Sequence, residues 1–385
     1  MSRKICIVTG SRAEFGLMRW LMQGLSDGSA LELQTVVTGT HLSAAHGMTI
    51  NEIIDAGFHI DGRVHLDLQD DGRAAIAAAT GQATTKLAAE FLRLSPNIIV
   101  VLGDRFEVLA AASAALICGI PVAHLHGGEI TEGAFDESIR HAVTKMSHLH
   151  FVAAEAYARR VVQLGENPDH VFEVGALGLD AIENESLLSR EELQSALNFT
   201  LCSKNYIVTY HPETIGSANP VEQFDELLKA LDTLTDTHIV FTQPNADPGG
   251  QALTKHLTDF VATRPHMRLY QSLGQKRYLS CLKEFDAVIG NSSSGLIEAP
   301  SLHTATINIG DRQKGRLRAG SVIDCESDYQ SISRALSRLS SDDFAKDIRM
   351  FDNPYGRAGA SKQIVDVLRS QKFDNLLKKP FFDLH

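Results

Sequence analysis

Short apolar runs rich in β-branched residues recur along the chain, with segments of helical spacing between them. In the first half these runs are Ile5 to Thr9, Leu33 to Val37, Asn97 to Leu102, Pro121 to Leu125, His150 to Ala153 and Val171 to Val174. Runs of this length that alternate with helices are typical of a parallel sheet buried on both faces. The pattern therefore predicts a doubly wound α/β domain.

The same pattern restarts after a stretch rich in Glu and Ser, Ile182 to Asn198. The second set of runs is Tyr206 to Tyr210, His238 to Thr242, Met267 to Tyr270, Ala287 to Gly290, Thr304 to Ile309 and Val322 to Asp324. Two Rossmann-like domains are the simplest interpretation, the first over 1–178 and the second over 179–354. The last segment, 355–385, contains a run of helical spacing, and we expect this helix to pack back on the first domain.

Composition and charge narrow the classes of protein to which this chain can belong. Its 385 residues are 44% hydrophobic and 22% charged, which is enough apolar material for more than one core. The formal net charge of -11, with no long face of Lys and Arg, argues against a nucleic-acid partner and against binding to an anionic membrane. No apolar run approaches the ~20 residues of a membrane span.

The cysteines and the first residues indicate a compartment. Five cysteines are scattered without a CxxC pair, mostly inside apolar runs, which indicates reduced thiols. The first apolar run begins at Ile5 and is too short for a signal peptide. We therefore expect a cytoplasmic protein.

Functional side chains follow most of the predicted strands. In open α/β sheets, ligands bind beyond the carboxyl ends of the strands, so we expect catalytic and ligand-binding residues at these positions. The segments concerned are Gly10 to Glu14, Gly39 to His41, Gly103 to Arg105, His126 to Glu129, His211 to Glu213, Gln243 to Asn245 and the residues from Asn291. Their shared placement predicts that they line one cleft between the two domains.

A segment of small residues, Asn291-Ser292-Ser293-Ser294-Gly295, precedes a predicted helix start at Leu296 to Ala299. Free backbone N–H groups and the positive end of a helix dipole favour an anion there, and Ser side chains let a phosphate approach closely. Glu298 lies one turn inside, where it can accept hydrogen bonds from a ribose. The alternative is an ordinary Ser N-cap, but three consecutive Ser exceed what capping needs.

Three carboxylates are candidates for acid-base chemistry: Asp104, Glu129 and Asp136. Neighbouring carboxylates, one with a raised pKa, can supply both a proton acceptor and a proton donor near neutral pH. An ion pair with Arg105 or a helix N-cap is the alternative for Asp104, and a helix cap is the alternative for Asp136. Glu129 follows two glycines, which bring the backbone close to a neighbouring group. A purely structural role is therefore harder to assign to Glu129 than to the other two carboxylates.

Basic and imidazole groups that could meet a diphosphate complete the candidate set. His211, between a strand and a proline, is a candidate contact for a phosphate or a uracil, or an acid-base group, although a lone His is more often structural. Arg12, Arg105, Arg312 and Arg316 present planar donors suited to phosphate oxygens, with solvated surface charge as the alternative.

The motifs of metal and dinucleotide sites are missing from the sequence. His124, His126, His141, His148 and His150 form a cluster, but no Cys or Asp is placed to complete a tetrahedron, and no HExxH occurs. The chain has no GxGxxG with a downstream acid and no GxxxxGK[ST]. We therefore expect no metal and no nicotinamide cofactor.

Seven short motifs stand in order between about Arg3 and about Gly359. They are Gly10-Ser11-Arg12-Ala13-Glu14, Gly103-Asp104-Arg105-Phe106-Glu107, His126-Gly127-Gly128-Glu129, Asp136-Glu137-Ser138-Ile139-Arg140-His141, His211-Pro212-Glu213-Thr214, Gly290-Asn291-Ser292-Ser293-Ser294-Gly295 and Asp311-Arg312-Gln313-Lys314-Gly315-Arg316. Together they resemble the hydrolysing UDP-N-acetylglucosamine 2-epimerases. The resemblance is to the branch that serves sialic-acid synthesis, which tends to carry Gly-Asp-Arg and His-Gly-Gly-Glu.

The resemblance implies a fold, an assembly and a reaction. The family has a two-domain glycosyltransferase-B architecture, works without NAD or a required metal, and forms homodimers or dimers of dimers. The implied reaction removes the C2 proton of UDP-N-acetylglucosamine as UDP departs, and water then adds to the 2-acetamidoglucal to release N-acetylmannosamine. This is the first step of sialic-acid synthesis for a capsule or lipopolysaccharide.

Residue roles follow from the same resemblance. Asp104, Glu129 and Asp136 become the acid-base set around the sugar, with Asp104 or Glu129 preferred as the base and Asp136 for water or the returning proton. His41 becomes a sugar contact. The UDP contacts become Arg12, Arg105, His211, Asn245, Tyr278, Ser292, Ser293, Glu298 and Arg312, with Glu298 on the ribose.

Four other functions stay open. A close relative of the family acts on a 2,4-diacetamido-2,4,6-trideoxy hexose in legionaminic acid synthesis. A glycosyltransferase of the same architecture would keep the diphosphate site but needs only one base. A non-catalytic UDP-sugar sensor would leave the three carboxylates without a purpose, and a non-hydrolysing epimerase would keep the diphosphate attached.

Overall fold

The computed structural model describes residues 2–28, 30–68, 70, 72–131, 135–212, 220–243, 250–341, 343–344 and 348–384. These residues separate into two compact units. Unit 1 takes in the described residues of Met1–Glu129, Phe135–Asp180 and Gly356–His385, and unit 2 takes in those of Ile130–Ala134 and Ala181–Tyr355.

Unit 1 is built on one parallel sheet. Its strands are β1 (Arg3–Thr9), β2 (Leu31–Val37), β3 (Gly62–Arg63), β4 (Ile98–Leu102), β5 (Val122–Leu125), β6 (Leu149–Val152) and β7 (Val171–Glu173). They lie in the order β3-β2-β1-β4-β5-β6-β7, and in the register of this sheet Ile5 pairs with Leu33 on one side and with Ile98 on the other. Every residue of β4, β5 and β6 is buried, as expected for strands covered on both faces.

Helices cover both faces of this sheet and form a hydrophobic core on each face. Successive residues of a strand point alternately into these two cores. The helices are α1 (Arg12–Ser26), α2 (Ile50–Asp55), α3 (Arg73–Leu94), α4 (Phe106–Ile117), α5 (Asp136–Met146), α6 (Glu155–Gln163), α7 (Asp180–Asn184), which begins at the end of unit 1, and α14 (Ala360–Ser370). Ile5 of β1 packs into the core that contains α1 and α14, whereas its neighbour Cys6 packs into the core that contains α3 and α4. The period-two alternation of a strand thus stabilises two layers at once.

Unit 2 repeats this plan with its own core. Its strands are β8 (Asn205–Thr209), β9 (His238–Thr242), β10 (Met267–Tyr270), β11 (Ala287–Gly290), β12 (Ala305–Ile309) and β13 (Val322–Cys325), in the parallel order β10-β9-β8-β11-β12-β13. Its helices are α8 (Arg190–Leu197), α9 (Pro220–Leu231), α10 (Gly250–Ala262), α11 (Gly274–Glu284), α12 (Ser294–Ile297) and α13 (Tyr329–Leu339). Single 3₁₀ turns complete both units, among them Gly39–Leu42, Leu177–Leu179 and Ala299–Leu302.

Both sheets change direction at one place. The chain builds outward from β1 through β2 to β3 and then returns to place β4 on the other side of β1, and unit 2 does the same around β8 and β11. The loops that leave two such neighbouring strands diverge, so a crevice opens at their carboxyl ends. In unit 1 this point brings together Gly10 and Gly103, and in unit 2 it brings together His211 and Asn291.

Asp180 fastens the last helix to unit 1. Its carboxylate accepts the backbone N–H groups of Gly359 at 2.5 Å, Ala360 at 3.0 Å and Ser361 at 2.7 Å, and the residue is only 1% exposed. These N–H groups lie at the N-terminus of α14, where the first backbone N–H groups have no acceptor within the helix. The carboxylate of Asp180 satisfies them in this buried setting. Ile364 and Leu368 of the same helix are fully buried and pack against α1.

Two elements differ from their predictions. Strand β3 is missing from the prediction because Gly62–Arg63 is too short to produce an apolar run. The helix predicted from Leu296 is shorter than expected, since α12 ends at Ile297 and a 3₁₀ turn, Ala299–Leu302, follows. Pro300 explains the break, because a proline disfavours helical geometry at the residue before it.

The described part of the chain has no helix long and apolar enough to cross a lipid bilayer. All five cysteines are free thiols. Burial raises the pKa of the Cys281 thiol to about 12, which is typical of a side chain that serves the core.

Candidate active site

Glu14, in the first turn of α1, and Glu107, in the first turn of α4, form an acidic pair that faces Arg105. Ser11 caps α1 by accepting the Glu14 N–H, and Glu14 returns to accept the Gly10 N–H at 2.8 Å, so the local sequence alone fixes this carboxylate. Arg105 Nε lies 3.3 Å from Glu107 Oε2 and 3.8 Å from Glu14 Oε1. Burial, together with the charge of Glu107, raises the pKa of Glu14 to about 7.

Asp104 and Glu129 come together around a buried arginine. Arg140, 4% exposed and one turn inside α5, donates from its Nη2 to Asp104 Oδ2 and places its Nη1 4.0 Å from Glu129 Oε2. Burial acts to lower the pKa of Arg140, but the charges of Asp104 and Glu129 outweigh it and raise that pKa. The guanidinium is therefore a permanent cation between two of the predicted acid-base groups.

Neither structural alternative for Asp104 is correct. Arg105 turns to Glu107 and Glu14, and the N-terminus of α4 has no side-chain cap. Asp104 pairs instead with Arg140, which is distant in sequence and comes from α5. The ion pair thus belongs to the carboxylate cluster.

His126 holds Glu129 from the other side. Its Nδ1 lies 2.7 Å from Glu129 Oε1, and its Nε2 accepts the backbone N–H of Leu177 at 3.3 Å. Because Nε2 accepts a hydrogen bond, the ring proton resides on Nδ1 and points at the carboxylate. His126 has φ +62°, a left-handed conformation that L-residues adopt at some energetic cost, which is typical of a constrained site.

Gly128 lets this turn approach the neighbouring helix. It has φ +75°, and a Cβ atom there would lie 2.4 Å from the carbonyl oxygen of Tyr157. Arg160 of the same helix donates to the Gly128 carbonyl. The glycine before Glu129 is therefore required by close packing against α6, which seats the carboxylate in the turn.

Asp136 is the first residue of α5, on the helix that carries Arg140. The N-cap position is Phe135, which makes no capping bond, so Asp136 is not the cap that the alternative interpretation required. An acid in the first turn is favoured by the helix dipole. One helix thus supplies the third predicted carboxylate and the buried cation.

Arg12 and His41 have structural partners in unit 1. Arg12 Nε lies 3.1 Å from Glu52 in an exposed pair. His41 is fully buried, with its Nε2 3.1 Å from the Thr9 hydroxyl and its Nδ1 2.8 Å from the Thr49 hydroxyl, and burial lowers its pKa to about 4. A sugar contact by His41, as the resemblance implies, would require one of these bonds to be exchanged.

In unit 2 a side-chain amide ties the two strands at the crevice together. Asn291 accepts the His211 N–H at 2.7 Å and donates to the His211 carbonyl at 2.8 Å, and Asn291 is fully buried. Its own carbonyl accepts Arg312 Nη1 at 3.0 Å and Gln313 Nε2 at 2.9 Å. Burial, reinforced by the charge of Arg312, lowers the pKa of His211 to about 3, so the imidazole is neutral near pH 7.

The serine segment meets Tyr278 and Glu298. Burial raises the pKa of Tyr278, and the hydroxyls of Ser294 and Ser292 and the carboxylate of Glu298 are its polar neighbours. Ser292 Oγ accepts the Ser294 N–H at 3.4 Å, and Ser293 occupies the N-cap position of α12 without a side-chain capping bond. Tyr278, Ser292, Ser294 and Glu298 therefore share one small polar region.

One predicted contact, Asn245, lies outside the described residues. Arg316, which the sequence offered as a further cation, lies in the loop after β12, and the neighbouring Arg318 pairs with Asp324 at 2.8 Å. Arg318 also donates to the carbonyls of Arg316 at 2.7 Å and Gln313 at 3.3 Å, which orders this loop. The loop that carries Arg312 is thus fixed by cationic side chains.

The histidines of unit 1 that attracted a metal interpretation have partners within the protein. His124 contacts the Thr144 hydroxyl at 3.1 Å and the Gly103 carbonyl at 2.8 Å, and burial lowers its pKa to about 3. His150 contacts Glu166 at 2.9 Å. Over the residues that the structure describes, no group of three or more His, Cys, Asp or Glu is placed to hold a metal ion.

Sequence reasoning did not single out Arg140, His126 or Glu14 as site residues. The signal for Arg140 was available, since it follows Asp136 by four residues and so lies on the same face of a helix. The signal for Glu14 was the Ser11-x-x-Glu14 spacing of a helix start. His126 had no such signal, because its role depends on a backbone conformation that the sequence does not display.

The chain is similar to known proteins over nearly its whole length. The family model described as UDP-N-acetylglucosamine 2-epimerase matches residues 23–369. The chain is 40% identical to the GDP/UDP-N,N'-diacetylbacillosamine 2-epimerase (hydrolyzing) of Campylobacter jejuni over 99% of each chain. It is 37% identical to the polysialic acid biosynthesis protein P7 of Escherichia coli, over 99% of this chain and 98% of that one. It is 36% identical to the UDP-N,N'-diacetylbacillosamine 2-epimerase (hydrolyzing) of Legionella pneumophila over 96% of each.

Solved structures share the fold. S. aureus MnaA with UDP matches with a TM-score of 0.80 and 19% identity over 100% of each chain. The Methanocaldococcus jannaschii UDP-GlcNAc 2-epimerase, in complex with UDP-GlcNAc and UDP, matches with a TM-score of 0.78 and 18% identity over 95% of this chain and 99% of that one. The predicted fold class, two doubly wound Rossmann-like α/β domains of the glycosyltransferase-B class, is confirmed.

Proposed function

This chain belongs to the UDP-N-acetylglucosamine 2-epimerase family, and we propose that it is a hydrolysing member of it. In this proposal the enzyme converts a UDP-2-acetamido sugar and water into the free 2-epimeric sugar and UDP. The observation that carries the proposal is the cluster of Asp104 and Glu129 around Arg140, with Asp136 on the same helix as that arginine.

The proposed reaction has two stages. A carboxylate takes the C2 proton, the C–H electron pair forms a C1=C2 bond, and the C1–O bond breaks as UDP leaves with its electron pair. Water then adds its oxygen to C1 of the 2-acetamidoglucal, and a carboxylic acid returns a proton to C2 from the opposite face. Asp104 or Glu129 serves as the base, and Asp136 handles water or the returning proton.

A weakly acidic C2 proton needs a base held in a desolvated site and a leaving group whose charge is already stabilised. Glu129 is 3% exposed, and its carboxylate is approached by an imidazole and a guanidinium, so it is shielded from bulk water. The cluster has too many carboxylates for a glycosyltransferase, which needs one base. A binding protein would gain nothing from keeping Glu129 buried at a cost in stability.

We propose that the UDP contacts are those predicted from the resemblance. Ser292, Ser293 and Tyr278 offer hydroxyls and backbone donors, and Glu298 would accept the ribose hydroxyls. Arg12, Arg105, His211, Asn245 and Arg312 complete the proposed set. Because α12 is only four residues long, the hydroxyls and local N–H groups have to do more, and the helix dipole less, than the sequence suggested.

Two sugars compete for the role of substrate. The sequence favoured UDP-N-acetylglucosamine, with N-acetylmannosamine as the product and sialic-acid synthesis as the purpose. The alternative, a UDP-2,4-diacetamido-2,4,6-trideoxy sugar, gains support because the relatives at 40% and 36% identity are named for N,N'-diacetylbacillosamine. The name of the first relative includes GDP as well as UDP, so the nucleotide belongs in the same test.

The test is incubation of the purified protein in heavy water with UDP-N-acetylglucosamine, with UDP-N,N'-diacetylbacillosamine and with its GDP counterpart. NMR should identify a free 2-epimeric sugar that carries one deuterium at C2, because the proton removed from C2 is replaced from solvent-exchanged carboxyls. A glycosyltransferase would leave C2 untouched. A product that keeps its nucleotide would identify a non-hydrolysing epimerase, and no turnover of any sugar would favour the sensor.

The location and the assembly belong to the same proposal. The reduced cysteines and the nucleotide substrate suit a cytoplasmic enzyme. The resemblance suggests a homodimer or a dimer of dimers. Analytical ultracentrifugation of the purified chain measures the assembly directly.

A further inference from the structure

Arg140 contacts two of the proposed acid-base groups, Asp104 and Glu129. It lies on α5, and its side chain is 4% exposed. Its Nη2 donates to Asp104, at the carboxyl end of β4, and its Nη1 faces Glu129, in the turn after β5. A single planar guanidinium thus joins two loops that leave neighbouring strands.

The two carboxylates are held differently. Both oxygens of Glu129 face donors, Oε1 towards His126 at 2.7 Å and Oε2 towards Arg140 at 4.0 Å, and the side chain is 4% exposed. Asp104 presents only Oδ2 to Arg140, and its side chain is 20% exposed. Among the described residues, the polar contacts of the Asp104 side chain go to Arg140, which leaves Oδ1 to a substrate.

We infer that Arg140 is a positioning residue for the proposed epimerisation, which acts by holding Asp104 oriented so that Asp104 Oδ1 takes the C2 proton. This inference rests on the proposed function. It also divides the labour of the cluster, because Glu129, engaged on both oxygens, then serves as a fixed negative charge that keeps Arg140 in place.

The proton balance follows from this arrangement. When Asp104 takes the C2 proton it becomes a neutral carboxylic acid, and Arg140 keeps Glu129 as its counterion. Asp104 then passes this proton to water, which restores the base before the next turnover. An arginine suits this role better than a lysine, since its planar fork can face two carboxylates at once.

The experiment compares Arg140→Gln, Arg140→Lys and the matched control Arg159→Gln in deuterium exchange at C2 and in steady-state kinetics between pH 5 and 9. Arg159 pairs with Glu155 on the exposed surface of unit 1, so its variant removes the same charge away from the cluster. We expect Arg140→Gln to lower kcat by ~100-fold with KM little changed, because the arginine acts on the base and not on binding. Deuterium exchange at C2 should fall in parallel with kcat, because the arginine acts on the group that removes the C2 proton.

Arg140→Lys keeps the charge without the planar guanidinium fork, so it should recover part of the turnover and of the deuterium exchange at C2. In an Asp104→Asn background, Arg140→Gln should add almost nothing, because its effect passes through Asp104. An unchanged kcat in Arg140→Gln, or a full additional loss in the Asp104→Asn background, would overturn the inference while the proposed function stands.

Two further outcomes keep the tests separate. If the wild-type enzyme turns over none of the nucleotide sugars, the proposed function has failed before Arg140 is examined. If Arg140→Gln does not fold, as judged by circular dichroism, Arg140→Lys carries the test alone. Wild-type kcat in that lysine variant would show that the guanidinium fork has no role.

Discussion

The two units have the same strand order around their crevices but fill them with opposite chemistry. At the carboxyl ends of β1 and β4, unit 1 collects buried carboxylates around Arg140 and beneath Arg105. At the ends of β8 and β11, unit 2 collects an amide, hydroxyls, a neutral imidazole, the guanidinium of Arg312 and the carboxylate of Glu298. The same topology therefore places both crevices, whereas the loop residues give each its own chemistry, which in our proposal is proton transfer in unit 1 and nucleotide binding mainly in unit 2.

The strongest test of this difference between the units removes the charge of one carboxylate in unit 1 while keeping the shape of its side chain. Glu129→Gln keeps the size and most of the hydrogen-bonding capacity of the side chain but removes its charge. We expect turnover to fall by at least ~100-fold with little change in UDP affinity, because the carboxylate cluster loses a charge while Glu129 is not among the proposed UDP contacts. Steady-state kinetics and calorimetric titration with UDP measure the two halves.

Glu155→Gln is the control for Glu129→Gln, because Glu155 is an exposed acid of the same unit. Its turnover should equal that of the wild-type enzyme. Surviving turnover in Glu129→Gln would reduce Glu129 to a scaffold residue, and the acid-base role would then fall to Asp104 and Asp136.

The converse change is made in unit 2. Glu298→Ala should weaken UDP binding by ~1.5 to 3 kcal/mol, the range for hydrogen bonds to a charged group, while the fold is kept. Ser292→Ala is the matched smaller change and should weaken binding less, because the neighbouring N–H groups remain. Titration with UDP and the melting temperatures of both variants decide this. Unchanged affinity in a folded Glu298→Ala protein would place the nucleotide elsewhere.

The smallest expected effect concerns the stability of unit 1. The pKa of Glu14 is raised to about 7 in the folded protein from an ordinary value of 4.5, so folding takes up a proton between these two pH values. The resulting stabilisation is present below pH 4.5 and is lost as the pH rises through 7. Glu14→Gln should therefore be more stable than the wild-type protein at pH 8 by on the order of 1 to 2 kcal/mol.

This difference should shrink between pH 8 and pH 5, which thermal unfolding at both pH values can measure. Glu155→Gln again serves as the control and should show no such pH dependence. A Glu14→Gln protein that is less stable than wild type at pH 8 would mean that the bond from the Gly10 N–H to the carboxylate outweighs the buried charge.

The strands were predictable from the sequence because buried parallel strands leave an unmistakable apolar run, as in Ile98–Leu102. Strand β3 was not, because two residues at a sheet edge leave no run. The meeting of Asp104 and Glu129 was also predictable in outline, since neighbouring strands end at the same edge of a sheet.

What the sequence could not show is how these groups are held. The pairing of Asp104 with Arg140 depends on how α5 packs against the sheet. From the sequence alone, the adjacent residue Arg105 was the candidate partner for an ion pair. The burial of His41 depends on Thr9 and Thr49 closing on both ring nitrogens. Such contacts are fixed by loop geometry, for which short-range patterns carry little information.

The three N–H groups held by Asp180 explain how a second fold can be spliced into the first. The chain leaves unit 1 after Asp180 and re-enters it at Gly356, and the carboxylate binds the re-entering segment at once. Exit and return therefore share one anchor, so the last helix joins unit 1 although residues 181–355 separate it in sequence from the first sheet. A chimera that exchanges residues 181–355 for the same stretch of a relative should therefore keep Asp180 and the Gly359 to Ser361 turn together, so that this anchor is preserved.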